Sequence, residues 1–252
     1  MDASPESQFN RVARAYASSA VHARGQDLEW LVAALQPRPT WHVLDAGTGA
    51  GHTALLVAAT AARVTAVDLA EHMLRVAAEL AVERGATNVD FVQASIDRLP
   101  FADSTFDAAC TRYSAHHWSD PRAAVTEIAR VLKPGAPFVL SDSMSFEDPA
   151  LDTYLNTLEL LRDASHVRNA TVAAWSRLLE DAGLAATSVK PWSVTLDTET
   201  WLARSDPPEW RASAARHLLR DASPEARSAL SIGDRGESFT LPCAVIAARR
   251  LG

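Results

Sequence analysis

Apolar residues recur along the chain in two rhythms, and the rhythm changes near residue 40. Before that point Phe9, Val12, Ala13 and Tyr16, then Leu28, Leu31, Val32 and Leu35, fall at spacings of three and four, the helical period, until Pro37 and Pro39 end the run. From Trp41 short apolar runs alternate with amphipathic stretches. Strands are predicted over Trp41–Ala46, Val64–Val67, Val89–Gln93, Phe106–Thr111 and Pro137–Ser141. Helices are predicted between them, over Thr53–Thr60, Ala70–Glu83 and Pro121–Val131, the last stopped by Lys133-Pro134-Gly135. Parallel strands need a crossover connection, and right-handed crossovers distribute helices to both faces of an open sheet.

After Asp142 the rhythm loosens. Residues 143–170 read as an insertion with a helix over Leu151–Leu161. Thr171–Asp181 is a helix closed by Gly183, Leu184–Leu196 a long strand, 198–230 a polar helical stretch and Phe239–Ala248 a final strand. The expected architecture is one α/β domain with an open, mainly parallel seven-stranded sheet. Its core is placed at about 40–142 and 171–252, under a helical cap from 1–39, 143–170 and 198–230.

The strongest local signal is Val43-Leu44-Asp45-Ala46-Gly47-Thr48-Gly49-Ala50-Gly51-His52. A glycine turn between strand and helix lets backbone approach a ligand closely. The dinucleotide form of this turn needs a small residue three positions after Gly49, and His52 stands there. Asp45 would repel a pyrophosphate and attract an ammonium group. Asp68, 19 residues after Gly49, ends the second strand, where an acid accepts hydrogen bonds from ribose hydroxyls. A ligand with an amino-acid end, a ribose and an adenine satisfies both carboxylates, which points to S-adenosyl-L-methionine.

Together with Ala70-Glu71-His72-Met73-Leu74, Leu99-Pro100-Phe101, Phe106-Asp107 and Arg130-Val131-Leu132-Lys133-Pro134-Gly135, these residues make the chain resemble the class I S-adenosylmethionine-dependent methyltransferases of the ubiquinone/menaquinone-biosynthesis C-methyltransferase type, over about residues 40–142. The resemblance implies a Rossmann-like methyltransferase sheet. It implies that Asp45, Gly47 and Gly49 hold the methionine end of the cofactor, that Asp68 takes the ribose, and that Leu69 and Met73 pack on the adenosine. Where such proteins usually carry an acid for the adenine amino group, this chain has Ser95, followed by Ile96. A hydroxyl there makes only a neutral hydrogen bond. Thr111 would line the methionine pocket.

Ligands in open α/β sheets sit at the carboxyl ends of the strands. Three polar segments are expected there: 16–25, 112–118 and 161–168. Each carries histidine, which titrates near neutrality and suits a proton acceptor. His117 or His166 is the candidate base, with Tyr16 or His22 closing over the sulfonium. His116, Arg162 and Arg168 are candidates for holding the substrate, the arginines through a carboxylate or phosphate. The alternative for the histidines is packing or capping under the lid. Trp118, Trp175, Trp192, Trp201 and Trp210 fall in or beside the expected cap, where aromatic area would suit an aromatic, quinone-like or polyketide-like acceptor.

Composition narrows this further. A net charge of −7, from 24 basic and 31 acidic residues, argues against a nucleic-acid partner. No apolar run approaches the ~20 residues that span a bilayer, and the first residues lack a secretory pattern, so a cytoplasmic protein is expected. Cys110 and Cys243 each sit in an apolar run, and adjacent His116-His117 is poor spacing for one metal, so neither a disulfide nor a metal site is expected. A nicotinamide-dependent reductase is opposed by His52 and Asp45. A cofactor-binding scaffold doing other chemistry, such as cyclisation, stays open, because fold does not fix chemistry. Oligomeric state is left open.

Overall fold

A computed structural model describes residues 4, 6–10 and 25–252. Tyr16 and His22, with the helical spacing around Val12 and Ala13, lie outside the described residues. The first full helix, α1, is Gln26–Leu35. Then follow β1 (His42–Ala46), α2 (His52–Ala58), β2 (Arg63–Asp68), α3 (Glu71–Glu83), β3 (Val89–Gln93), β4 (Ala108–Arg112), α4 (Pro121–Val131) and β5 (Pro137–Ser143). The remainder is α5 (Pro149–Arg162), α6 (Val172–Asp181), β6 (Leu184–Asp197), α7 (Thr198–Ser205), α8 (Glu209–Arg220), α9 (Pro224–Ala229) and β7 (Ser238–Arg250).

The seven strands form one sheet in the order β3-β2-β1-β4-β5-β7-β6. β1 to β5 pair in parallel, whereas β7 runs antiparallel to both β5 and β6. Successive strand residues point to opposite faces, and the core divides accordingly. Leu44, Ala109, Phe138 and Leu140 meet α4 and α6 through Val125, Ile128, Trp175 and Leu179 on one face. Val43, Ala108, Cys110 and Val139 meet α1 and α2 through Leu31, Leu35, Ala54 and Val57 on the other.

That second face corrects the expected cap. Leu28, Leu31 and Leu35 of α1 are buried, and α1 packs on β4, β5 and β7. This segment is a layer of the core, because its apolar stripe matches a sheet face that α2 alone does not cover. The cap is built from α5, α7, α8 and α9 around Leu155, Leu158, Trp201, Leu219 and Phe239. Trp201 meets Phe239 edge to face at 4.9 Å. Its floor is the antiparallel β6–β7 pair. β7 leaves its pairing with β5 at Ser143↔Cys243, yet stays paired with β6 as far as Asp197↔Ser238. This strand pair therefore overhangs the carboxyl end of β5. The expected strand ends fall short here, since β5 continues to Ser143 and β6 to Asp197. Phe106 makes only an isolated bridge to Leu132 before β4 begins.

The tryptophans separate along the same lines. Trp118 and Trp175, 6.0 Å apart and perpendicular, belong to the main core rather than the cap. Trp192 packs edge-on against Trp30. Trp210 is 66% exposed, and Trp201 is the aromatic centre of the cap.

Candidate active site

The strand order reverses between β1 and β4, whose residues Asp45 and Cys110 are paired. At such a switch point the connections leave in opposite directions and open a crevice at the strands' carboxyl ends. The crevice is a cavity of about 240 Å³. Its β1 side is the glycine turn. Gly47, Gly49 and Gly51 all have positive φ, at 74°, 54° and 84°, and the Gly47 and Thr48 amides both donate to the Val67 carbonyl. A Cβ on Gly47 would lie 1.9 Å from Ser114 Oγ, and one on Gly51 2.9 Å from the Ala77 Cβ. One on Gly49 would meet nothing within 4 Å, the open side of the turn.

Asp68 lines the cavity. Its Oδ2 accepts from the Gly49 amide at 2.8 Å and its Oδ1 from the Ala70 amide at 2.9 Å, so one carboxylate fastens the turn to the start of α3. Burial raises its pKa above the ordinary carboxylate value. Leu69, Met73, Ser95 and Ile96 line the same cavity. Asp45 stands behind the wall. Its Oδ2 accepts from the Thr48 hydroxyl at 2.6 Å and its Oδ1 from the Cys110 thiol at 3.6 Å. Burial pushes its pKa up to about 6. It does not line the cavity, and through Thr48 it holds the turn from beneath.

The β4 side departs from expectation by one to three residues. Thr111 is fully buried, does not line the cavity, and its hydroxyl has no hydrogen-bond partner. Strand alternation turns it into the sheet. Arg112, Tyr113 and Ser114 form the wall instead. Arg112 is fixed by a buried bidentate pair with Asp27 of α1, at 2.5 and 2.9 Å, and stacks over the Tyr113 ring. Tyr113 sits at φ 49°, a left-handed conformation that costs a bulky residue about 1–3 kcal/mol and tends to mark functional places. Phe9 and His52 also line the cavity. The signal for His52 was present in its place at the start of α2. Phe9 carried only a helical-face signal.

A second chamber of about 50 Å³ lies under the cap overhang, and Tyr113 and His117 wall both spaces. His116, Arg162, Arg204 and Trp201 line it. Around it three histidines cluster, the half-buried His116 lying 4.1 Å from the buried His117 and 5.7 Å from the buried His166 between ring centres. His117 Nδ1 donates to the Ser165 carbonyl at 3.1 Å; Phe9 packs against its ring edge to face at 4.8 Å. Burial, then the charge on His116, depress its pKa to about 3. His166 Nε2 lies 3.0 Å from the Asn156 side-chain oxygen, which also accepts the Asn169 amide, so that nitrogen carries the hydrogen. His166 lines neither space, and burial with its two histidine neighbours brings its pKa to about 3 as well.

His116 differs. Its Nδ1 lies 2.6 Å from Asp142 Oδ1, at the end of β5. Burial disfavours its charged form, but Asp142, with help from Glu159, outweighs it and raises the pKa above the ordinary value. Of the two arginines, Arg162 lines the second chamber, where it pairs with Glu159 at 3.4 Å and donates to the Trp201 carbonyl. Arg168 lines neither space. Its side chain is 57% exposed and ion-paired with Asp152 on α5. Among the described residues no group of three or more His, Cys, Asp or Glu is placed to hold a metal, and no helix is long and apolar enough to cross a membrane.

The profile of a family described as a methyltransferase domain matches residues 44–140. The uncharacterized methyltransferase YcgJ of Bacillus subtilis is 38% identical over 227 residues, covering 90% of each chain. The chain belongs to the class I S-adenosylmethionine-dependent methyltransferases. The crystal structure of YcgJ superposes on this methyltransferase with a TM-score of 0.86 at 36% identity, covering 89% of this chain and 98% of that one. A putative methyltransferase of Bacillus halodurans does so at 0.87 and 30%, covering 90% and 100%. The ubiquinone/menaquinone biosynthesis C-methyltransferase UbiE of Brucella anthropi is 35% identical over 156 residues, 57% of this chain and 59% of its own.

The cavity fits S-adenosylmethionine, the cofactor of this methyltransferase. Gly49 faces open space, Asp68 lines the same cavity, and Leu69, Met73 and Ile96 supply apolar walls.

Proposed function

We propose that this methyltransferase acts on a small-molecule acceptor of aromatic, quinone-like or polyketide-like type, from which a histidine removes a proton. The observation that carries the reading is the common wall of Tyr113 and His117 between the large cavity and the capped chamber. Such a wall puts an acceptor beside a donor while the cap excludes water. The relative named for ubiquinone and menaquinone biosynthesis supports a quinone-like acceptor.

Asp68 would hold the ribose and the Gly47–Gly51 turn the amino-acid end, with Asp45 bracing that turn. Leu69, Met73 and Ile96 would enclose the adenosine, and Ser95 would meet the adenine edge. When bound, S-adenosylmethionine supplies an electrophilic methyl group, leaving as a neutral thioether that needs no protonation. The protein's remaining tasks are alignment of the acceptor, removal of water and acceptance of one proton. The test is incubation with methyl-labelled cofactor and a series of quinols, phenols and enolisable ketones. Acceptor-dependent release of S-adenosylhomocysteine is expected. Release only with protein or nucleic-acid acceptors would overturn the proposal.

A further inference from the structure

We infer that His116, oriented by Asp142, is the base of the reaction, and that the chamber under the cap receives the weakly acidic head of the acceptor, an enolic or phenolic hydroxyl or an enolisable carbon. This rests on the small-molecule reading above and names the site within it. Three observations carry it.

The first is hydrogen-bond direction. The Asp142 carboxylate can only accept, so His116 Nδ1 carries a hydrogen toward it and Nε2 keeps its lone pair in the neutral ring. Asp142 is itself held by the Ala115 and Ser143 amides, at 2.8 Å each, which fixes the direction of the pair. His116 makes no hydrogen bond through Nε2 among the described residues, and the ring borders the chamber. A carboxylate on one imidazole nitrogen and a substrate-facing lone pair on the other is the arrangement that makes histidine an effective base.

The second is the competition among the three histidines. His117 and His166 are too weakly basic to hold a proton near neutrality, whereas a base is most effective with a pKa close to the working pH. His116 alone has a carboxylate partner. Asp142 from β5 and Glu159 from α5 favour its charged form; Arg162 of α5 and burial oppose it. His117 beside it, and His166 and Asp163 after α5, complete its charged surroundings, with Arg204 of α7 across the chamber.

The third is the chamber's lining. Arg162, paired with Glu159, and Arg204 give it polar, hydrogen-bonding walls, while Trp201, Leu196 and Leu241 are apolar walls. At about 50 Å³ it admits only a head of a few atoms, which would reach the cofactor cavity where Tyr113 and His117 border both spaces. In the step itself the acceptor's O–H or C–H proton passes to His116 Nε2. The freed electron pair forms the bond to the methyl carbon as that carbon's bond to sulfur breaks, its pair remaining on sulfur.

The test uses the full chain with 4-nitrophenol, 2,4-pentanedione and 1,4-naphthohydroquinone as acceptors and calorimetry with S-adenosylhomocysteine in parallel. At least one acceptor should be methylated. H116N should lower kcat by at least ~100-fold with the affinity for S-adenosylhomocysteine within twofold. Wild-type kcat should rise with pH through a group above 6.5, and D142N should move that limb to lower pH. As a readout that needs no turnover, nitrogen NMR of the wild-type imidazoles should show His116 as the Nδ1–H tautomer, titrating at higher pH than His117 and His166. An Nε2–H tautomer for His116, or turnover by H116N within threefold of wild type, would overturn the assignment. Tight S-adenosylhomocysteine binding with none of the three methylated would refute the acidic head but leave the methyltransferase reading standing. Methylation of a non-acidic amine alone would do the same.

Discussion

Gly47 and Gly49 are two residues apart with similar backbone angles, yet their surroundings differ sharply, and alanine at each isolates a different cost. At both, a side chain in the left-handed region costs about 1–2 kcal/mol. Restricting the unfolded chain returns about 0.4–1 kcal/mol. Gly49→Ala, with nothing within 4 Å of its Cβ, should therefore lose only about 1 kcal/mol. Gly47→Ala adds a collision with Ser114, whose Oγ and Cβ lie 1.9 and 2.5 Å from the new atom. Overpacking of this kind costs about 1–3 kcal/mol more, for a total near 2–4. Ser114→Gly removes both colliding atoms, so the double variant should recover the added part, a coupling of about 1–3 kcal/mol. Urea unfolding measures stability, and calorimetry with S-adenosylhomocysteine measures the site. Gly49→Ala should weaken the ligand more than its stability loss suggests, because its methyl enters the open side of the turn. If Gly47→Ala is no less stable than Gly49→Ala, or Ser114→Gly rescues nothing, the close approach of β1 and β4 is wrong.

Asp68→Ala removes a charged acceptor from the cavity and should weaken S-adenosylhomocysteine by about 10–100-fold, the equivalent of ~1.5–3 kcal/mol; an affinity within threefold of wild type in calorimetry would deny it the ribose. Thr111→Val replaces a buried, unpartnered hydroxyl and should stabilise the protein by about 1 kcal/mol in thermal unfolding with ligand affinity unchanged, and a loss of affinity would return Thr111 to the pocket. Asp45 has a folded pKa raised to about 6 from 3.8, so its ionisation opposes folding: its contribution is most favourable below pH 4 and is lost as pH rises through 6. Relative to Asp45→Asn, wild type should lose about 3 kcal/mol of stability between pH 3.5 and 7, and parallel stability curves for the two proteins would refute the buried charge.

Much of this cavity is legible in the sequence. The glycine turn and Asp68 declare themselves because backbone approach and a strand-end carboxylate need particular residues at particular spacings. Met73 and Ile96 followed from the family likeness. What stayed hidden depends on strand ends and on packing. A strand's last residue decides which way the next side chains face, so with β4 ended at Thr111 instead of Arg112 the segment 112–118 was placed at the site without showing that Arg112, Tyr113 and Ser114 wall the large cavity. Ending β5 at Ser141 instead of Ser143 left Asp142 at the edge of a loop. As a strand residue it stands opposite His116, a pairing 26 positions apart that no local pattern announces. The helical period of α1 was plain, but periodicity states that a face is buried and not against what. Only the sheet shows that Leu31 and Leu35 belong beneath it. The histidines were found as a group, yet what sets His116 apart from the other two is a single 2.6 Å contact with Asp142.

The most direct measurement is a crystal structure of the protein with S-adenosylhomocysteine. The ribose hydroxyls should lie on Asp68 and the amino-acid end on the Gly47–Gly51 turn, with the sulfur directed at the wall formed by Tyr113 and His117. A nucleoside seated in the capped chamber, or a sulfur directed away from that wall, would contradict the account.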